Sequence, residues 1–149
     1  MKRRMNSFLS LCFSLLCVLC LFACGGRKDK SNLVCTLVES TDSRVIISVS
    51  GEGLNCTLLD CMELLRQKED DELELTFTYS GGMMTSINGV GNPADYSKCW
   101  MLYTSDAEMA NTAWGEIEYE GNTLGSAIVG VGELEVVSGC IYVWDFTSF

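Results

Sequence analysis

An uncharged apolar run over residues 8–23, entered through Lys2, Arg3 and Arg4, decides how much of this chain is left to fold. A basic start, a short apolar stretch and small residues at its end are the order of a secretory signal. A full helical membrane span takes about 20 residues at roughly 1.5 Å each, more than this run supplies. Residues 1–23 are therefore expected to be removed after Ala23. Removing them from the 149 leaves 126, enough for one domain with a real core and not for two. The removed segment holds three of the ten Lys and Arg and none of the 20 Asp and Glu, so the net charge of −10 becomes −13. Nucleic acids and anionic membrane surfaces demand basic patches, so neither is expected as a partner.

At the end of the run stand Leu21-Phe22-Ala23-Cys24-Gly25-Gly26. This order resembles the lipobox of bacterial lipoproteins, with an aliphatic residue three before a cysteine and a small one directly before it. The resemblance implies that the Cys24 thiol takes a diacylglyceryl group, and that the new amine is open to acylation by a chain such as palmitate. Two or three chains anchor stably where one does not, each buried CH₂ contributing about 0.8 kcal/mol. Residues 24–32, with Arg27, Lys28, Asp29 and Lys30, then read as a lipidated cysteine and polar tether. Residues 33–149 are left as a single domain on the extracytoplasmic face of the cell membrane.

Nine cysteines suggest a disulfide framework, but processing shrinks it. Cys12, Cys17 and Cys20 leave with the signal and Cys24 is spent on lipid. Cys35, Cys56, Cys61, Cys99 and Cys140 remain, an odd number that allows two bridges at most. Export permits bridges and an anaerobic host leaves thiols, so the pairing stays open. The spacing fits no zinc pattern, and the chain has no histidine.

Periodicity supplies the elements. Residues 33–40 and 44–50 read as two strands about Thr41-Asp42-Ser43, with Val45, Ile47 and Val49 alternating along the second. Thr57 is placed to cap a helix that has Asp60 and Glu63 in its opening turns. Leu58, Met62 and Leu65 share one face of that helix, which is expected to end near residues 66–68. The acidic run 69–72 reads as a solvated loop. Leu73, Leu75, Phe77 and Tyr79 alternate as a strand, Ser80-Gly81-Gly82 turns it, and residues 83–90 return. Residues 99–104 are another strand. Residues 106–125 look like loops with a brief strand at 116–119. Residues 134–137 and 140–146 read as a closing hairpin across Ser138-Gly139. One helix and six or seven strands give an α+β class.

The middle of the chain carries a further likeness. Thr57-Leu58-Leu59-Asp60 opens the helix, Ser80-Gly81-Gly82 follows, then Thr85-Ser86-Ile87-Asn88-Gly89-Val90 and Cys99-Trp100-Met101-Leu102-Tyr103. Over residues 44–146 this order resembles the transcobalamin-like C-terminal domain. The resemblance implies a β-grasp-like fold, one helix packed on a small, mostly antiparallel or mixed sheet. In eukaryotic cobalamin carriers this domain closes over one face of the corrin ring, opposite a larger helical barrel. Bacterial surface lipoproteins carry similar modules. Here Cys99 stands where the family's strand has an aromatic, and no stretch reads as a helical barrel.

Enzyme chemistry finds no support in the residues. Without histidine there is no Ser-His or Cys-His arrangement, and no nucleophile elbow or phosphate loop is present. No cofactor and no metal site is expected. Met83, Met84, Tyr96 and Trp100 fall in or beside loops, where adaptable methionines and amphipathic aromatics suit a ligand surface, and Trp114 does too. Asn88 joins them at a turn that needs positive φ. Tyr142, Trp144 and Phe146 share one face of the last strand and read as core. The expectation is a non-catalytic binding module for a small molecule, a corrinoid among the candidates. The alternative is a structural or adhesive surface module that contacts a protein or glycan.

Overall fold

The computed structural model describes residues 32–51, 55–68 and 73–148. The signal-like run, Cys24, the tether up to residue 31 and the acidic run 69–72 lie outside the described residues. The chain forms β1 (Val34–Ser40), β2 (Arg44–Ser50), α1 (Leu58–Arg66), β3 (Phe77–Ser80), β4 (Met83–Ile87) and β5 (Val90–Gly91). It continues through β6 (Lys98–Thr104), β7 (Ala110–Tyr119), β8 (Asn122–Ala127) and β9 (Ile141–Ser148). Six strands make an antiparallel sheet in the order β1-β2-β9-β6-β8-β7, and β3-β4-β5 make a second, smaller one.

Both faces of the large sheet are covered. Strand alternation sends Val45, Ile47 and Val49 of β2, Tyr142 and Trp144 of β9, and Trp100 and Leu102 of β6 to one side. There they meet Leu58, Met62 and Leu65 of α1 and Phe77, Met84 and Ile87 of the small sheet. Ile46, Val143, Tyr103 and Leu124 occupy the other side, with Ile117 and Tyr119 of β7 packed on them. The β7–β8 hairpin curls over this second face, and Tyr119 comes within electrostatic reach of Glu39 on β1. Two covered faces explain why Val45-Ile46-Ile47 are all buried instead of alternating with polar residues.

The fold is mostly β, which corrects the expected α+β, β-grasp-like arrangement. Strands hold 53% of the described residues and helix only 8%. The helix packs beside β1, and the small sheet covers much of the rest of that face. Residues 106–125 are the main reason for the difference. They hold the ten-residue β7, joined to β8 by a turn in which Glu120 and Gly121 both have positive φ, 49° and 77°. Such paired positive angles suit a tight hairpin. The expected closing hairpin also differs. Residues 134–137 make one isolated bridge, Thr57 to Glu135, and otherwise hold the start of the helix. The Leu58 amide donates to the Leu134 carbonyl at 2.8 Å and the Val136 amide to that of Cys56 at 3.0 Å. The partners of β9 are β2 and β6 instead.

The helix itself follows its sequence signals. The Thr57 hydroxyl accepts from the Asp60 amide at 3.3 Å, and the Asp60 carboxylate accepts from the Thr57 amide at 3.0 Å. This reciprocal cap satisfies two donors that a helix start leaves free. Leu58, Met62 and Leu65 are buried as their spacing requires.

A cleft between the two sheets

Strands β6 and β9 run side by side, with Leu102 opposite Trp144 and Trp100 opposite Phe146. Their shared face forms the floor of an open cavity of about 260 Å³. Its walls come from Gly82, Met83 and Met84 at the β3–β4 turn and from Val129, Gly130 and Val131. The turn is tight because Gly81 and Gly82 both adopt positive φ, 60° and 85°. The two walls approach closely: a Cβ on Gly130 would stand 3.1 Å from the Gly82 carbonyl oxygen. Small residues at that point fix the shape of the opening.

Polar groups around the cavity are nearly all spoken for. Asn92 bridges the sheets, donating from Nδ2 to the Met84 carbonyl at 2.9 Å and accepting from the Trp100 amide at 3.1 Å. The Trp100 indole donates to the Val90 carbonyl at 2.8 Å, and its ring leans on Phe146 with centroids 5.2 Å apart. The Cys99 thiol reaches the Tyr96 carbonyl at 3.9 Å. Trp144 is the exception. It is 4% exposed, it lines the cavity, and its Nε1 is buried with no hydrogen-bond partner. An indole N–H can only donate, and leaving such a group unpaired costs about 1–3 kcal/mol. Among the described residues, only the Ser126 hydroxyl shares this condition.

The residues expected at a site divide between places. Met83, Met84 and Trp100 come together on the cavity, Met83 at 51% exposure and the other two buried. Trp100 is core and wall at once. Tyr96 is 57% exposed at a positive φ of 52° and does not line the cavity. Asn88 does not either. Its amide donates to the Thr76 carbonyl, its Oδ1 accepts from the Thr76 amide, and its Nδ2 reaches the Ser40 hydroxyl and the Thr41 carbonyl. Those bonds tie the β1–β2 turn to the small sheet. Trp114 projects at 64% exposure from residues 112–115, where β7 leaves its register with β8. Sequence reasoning missed Trp144, Leu102, Asn92 and the 129–131 wall. The aromatic stripe of β9 signals burial, and only the tertiary arrangement reveals which indole lacks an acceptor.

Among the described residues the five cysteines carry no disulfide bridge. Among those residues no group of three His, Cys, Asp or Glu side chains could hold a metal, and no helix is long and apolar enough to cross a membrane.

Fold and cavity together define a two-sheet, mostly β domain with an open apolar cleft against its central strands. No protein-family model, curated protein or solved structure matches the chain. The likeness to the transcobalamin-like domain thus rests on the order of its short motifs.

Proposed function

We propose that the chain is a lipid-anchored extracytoplasmic module that binds a small, largely apolar molecule and catalyses no reaction. The open apolar cavity against β6 and β9, with Trp144 and its enclosed, unpaired N–H in the lining, supports this reading above all. A ligand whose hydrocarbon part displaces water from Met84, Trp100, Leu102 and Val131, and whose entry shifts the wall enough to uncover that donor, would satisfy it with one carbonyl or ether oxygen. Ligand cavities commonly measure about 300–1,000 Å³, so 260 Å³ favours a one- or two-ring compound. A corrinoid is much larger and would enter only by a side group.

Acetophenone is a suitable probe, being apolar with one acceptor. A molecule of this size is expected to bind with about −5 kcal/mol, a Kd of hundreds of micromolar by calorimetry. Trp144→Phe keeps most of the ring and removes the donor, and should weaken binding roughly tenfold. In the free protein, lost ring area and relief of the unpaired N–H offset each other, so stability should change by less than about 1 kcal/mol. Equal affinity in the variant, or no heat at millimolar probe, contradicts the reading. Competition by cyanocobalamin would favour its corrinoid form.

The anchor has its own test. Cys24→Ser should abolish incorporation of labelled palmitate and leave residues 1–23 attached. A variant that matures and fractionates with the membrane like wild type contradicts lipidation at Cys24.

A surface role is the second reading, favoured by Trp114, which stands exposed on its excursion from β7. Loss of adhesion in Trp114→Ala, with probe binding intact, would support it.

A further inference from the structure

Away from the cavity, three cysteines share one buried place. Cys35 lies on β1, Cys56 directly precedes the capping residue Thr57, and Cys61 sits in the first turns of α1. All three are buried in the main core cluster, where the helix packs beside β1. The Cys61 side chain lies within hydrogen-bonding reach of those of Cys35 and Cys56. Lys68, just past the helix, donates from Nζ to the Cys35 carbonyl at 3.2 Å, which brings its charge beside the same thiol.

We infer that these three residues form a thiol–disulfide exchange site, in which Cys35 bonds to Cys61 and Cys56 is the alternate partner of Cys61. A thiol enclosed by hydrocarbon is ordinarily inert, because burial disfavours the thiolate that does the chemistry. Here the hydrogen bond from Cys61, aided by the Lys68 charge, holds the Cys35 thiol below its usual range despite burial. The same bond, with burial and the neighbouring Cys56, pushes Cys61 up. Of the two, Cys35 is the one whose surroundings favour loss of the proton.

The co-reactant is a small-molecule disulfide, RSSR. The Cys35 thiolate attacks one of its sulfurs, forming Cys35–S–S–R and releasing RS⁻, which takes a proton from water. Forming the mixed disulfide removes the Cys35 thiolate that pushes Cys61 up most; the Cys61 sulfur then attacks that of Cys35, and its proton leaves on the displaced second RS⁻ as RSH. One RSSR is reduced to two RSH, and the protein loses two hydrogens. β1 is an edge strand of the six-stranded sheet, and its local opening is the route by which the disulfide would reach the buried Cys35. Cys99 and Cys140 take no part. The first is turned to the Tyr96 carbonyl, and the second lies beside Ser105, its thiol pushed up by burial.

The test uses the full chain, incubated natively with oxidised glutathione, quenched in acid, denatured and alkylated. Cleavage after Arg44 and before Asp60 places Cys35, Cys56 and Cys61 on three different peptides. The expected result is a Cys35–Cys61 linked pair, two hydrogens lighter than the sum of its free peptides, with Cys99 and Cys140 alkylated. A Cys35→Ser variant that melts like wild type loses the neighbouring thiol that raises Cys61 most, which leaves Cys61 to make the first attack, and should instead link Cys56 to Cys61. Alkylation of all three residues in the wild type, or a bridge to Cys99 or Cys140, overturns the assignment. A folded Cys35→Ser protein with no Cys56–Cys61 link overturns the part given to Cys56.

Discussion

Tyr142→Ala is expected to lower stability by about 3–5 kcal/mol, measured by chemical denaturation, because it empties the centre of the main core. The ring is fully buried on β9, the strand hydrogen-bonded to both β2 and β6. Its hydroxyl also accepts from the Val137 amide at 2.9 Å, tying residues 134–137 to the sheet. Tyr142→Phe separates the two effects. It keeps the ring, strands the Val137 N–H and should cost only about 1–2 kcal/mol. Burial pushes the Tyr142 hydroxyl up to about 12 from an ordinary 10. A pKa raised by folding means that the unfolded chain ionises first. The stability tied to this hydroxyl is therefore complete below pH 10 and is lost as pH rises from 10 towards 12. Tyr142→Phe should remove that part of the alkaline decline. Equal stability of the Ala and Phe variants would show that the ring does not carry the core.

Asn88→Ala is expected to cost about 2–3 kcal/mol while leaving probe binding unchanged. Two terms add. Alanine at a positive φ of 49° is strained by roughly 1 kcal/mol, and the lost side-chain hydrogen bonds contribute about 0.5–1.5 kcal/mol each before relaxation. Asn88→Gly keeps the turn and loses only the clasp to Ser40, Thr41 and Thr76, so it should fall between wild type and alanine. This order would fix Asn88 as a tie between the β1–β2 turn and the small sheet. Weaker probe binding in Asn88→Gly, without loss of stability, would return it to the ligand site.

Local signals in this chain are legible where a short stretch determines its own structure. Thr57 and Asp60 mark the helix start because the cap forms between residues three apart. Gly81-Gly82 marks a hairpin because both residues must enter the left-handed region. The β7–β8 hairpin escapes notice because residues 112–115 interrupt its alternation, and the Glu120-Gly121 turn lacks the common Asn-Gly signature. Residues 134–137 mislead in the opposite way. Leu134 and Val136 are buried in strand-like alternation, yet the segment braces the helix and extends no sheet. Without β7 and β8 the sheet is small enough for one helix to cover, and this produces the β-grasp-like expectation. The cleft is half legible for a related reason. Met83, Met84 and Trp100 stand near turn signals, whereas Trp144 lies mid-strand among residues that all read as core.

The most direct measurement follows the three indole N–H resonances by NMR during titration of the ¹⁵N-labelled protein with acetophenone. Trp100 already donates to Val90, and Trp114 is exposed away from the cavity, so each should move little. The Trp144 resonance should shift downfield in a saturable way as its proton gains an acceptor, with the affinity found by calorimetry. It should disappear from the spectrum of Trp144→Phe. A Trp144 resonance that stays fixed while acetophenone saturates the protein, or perturbation confined to Trp114, would contradict the cleft as the binding site.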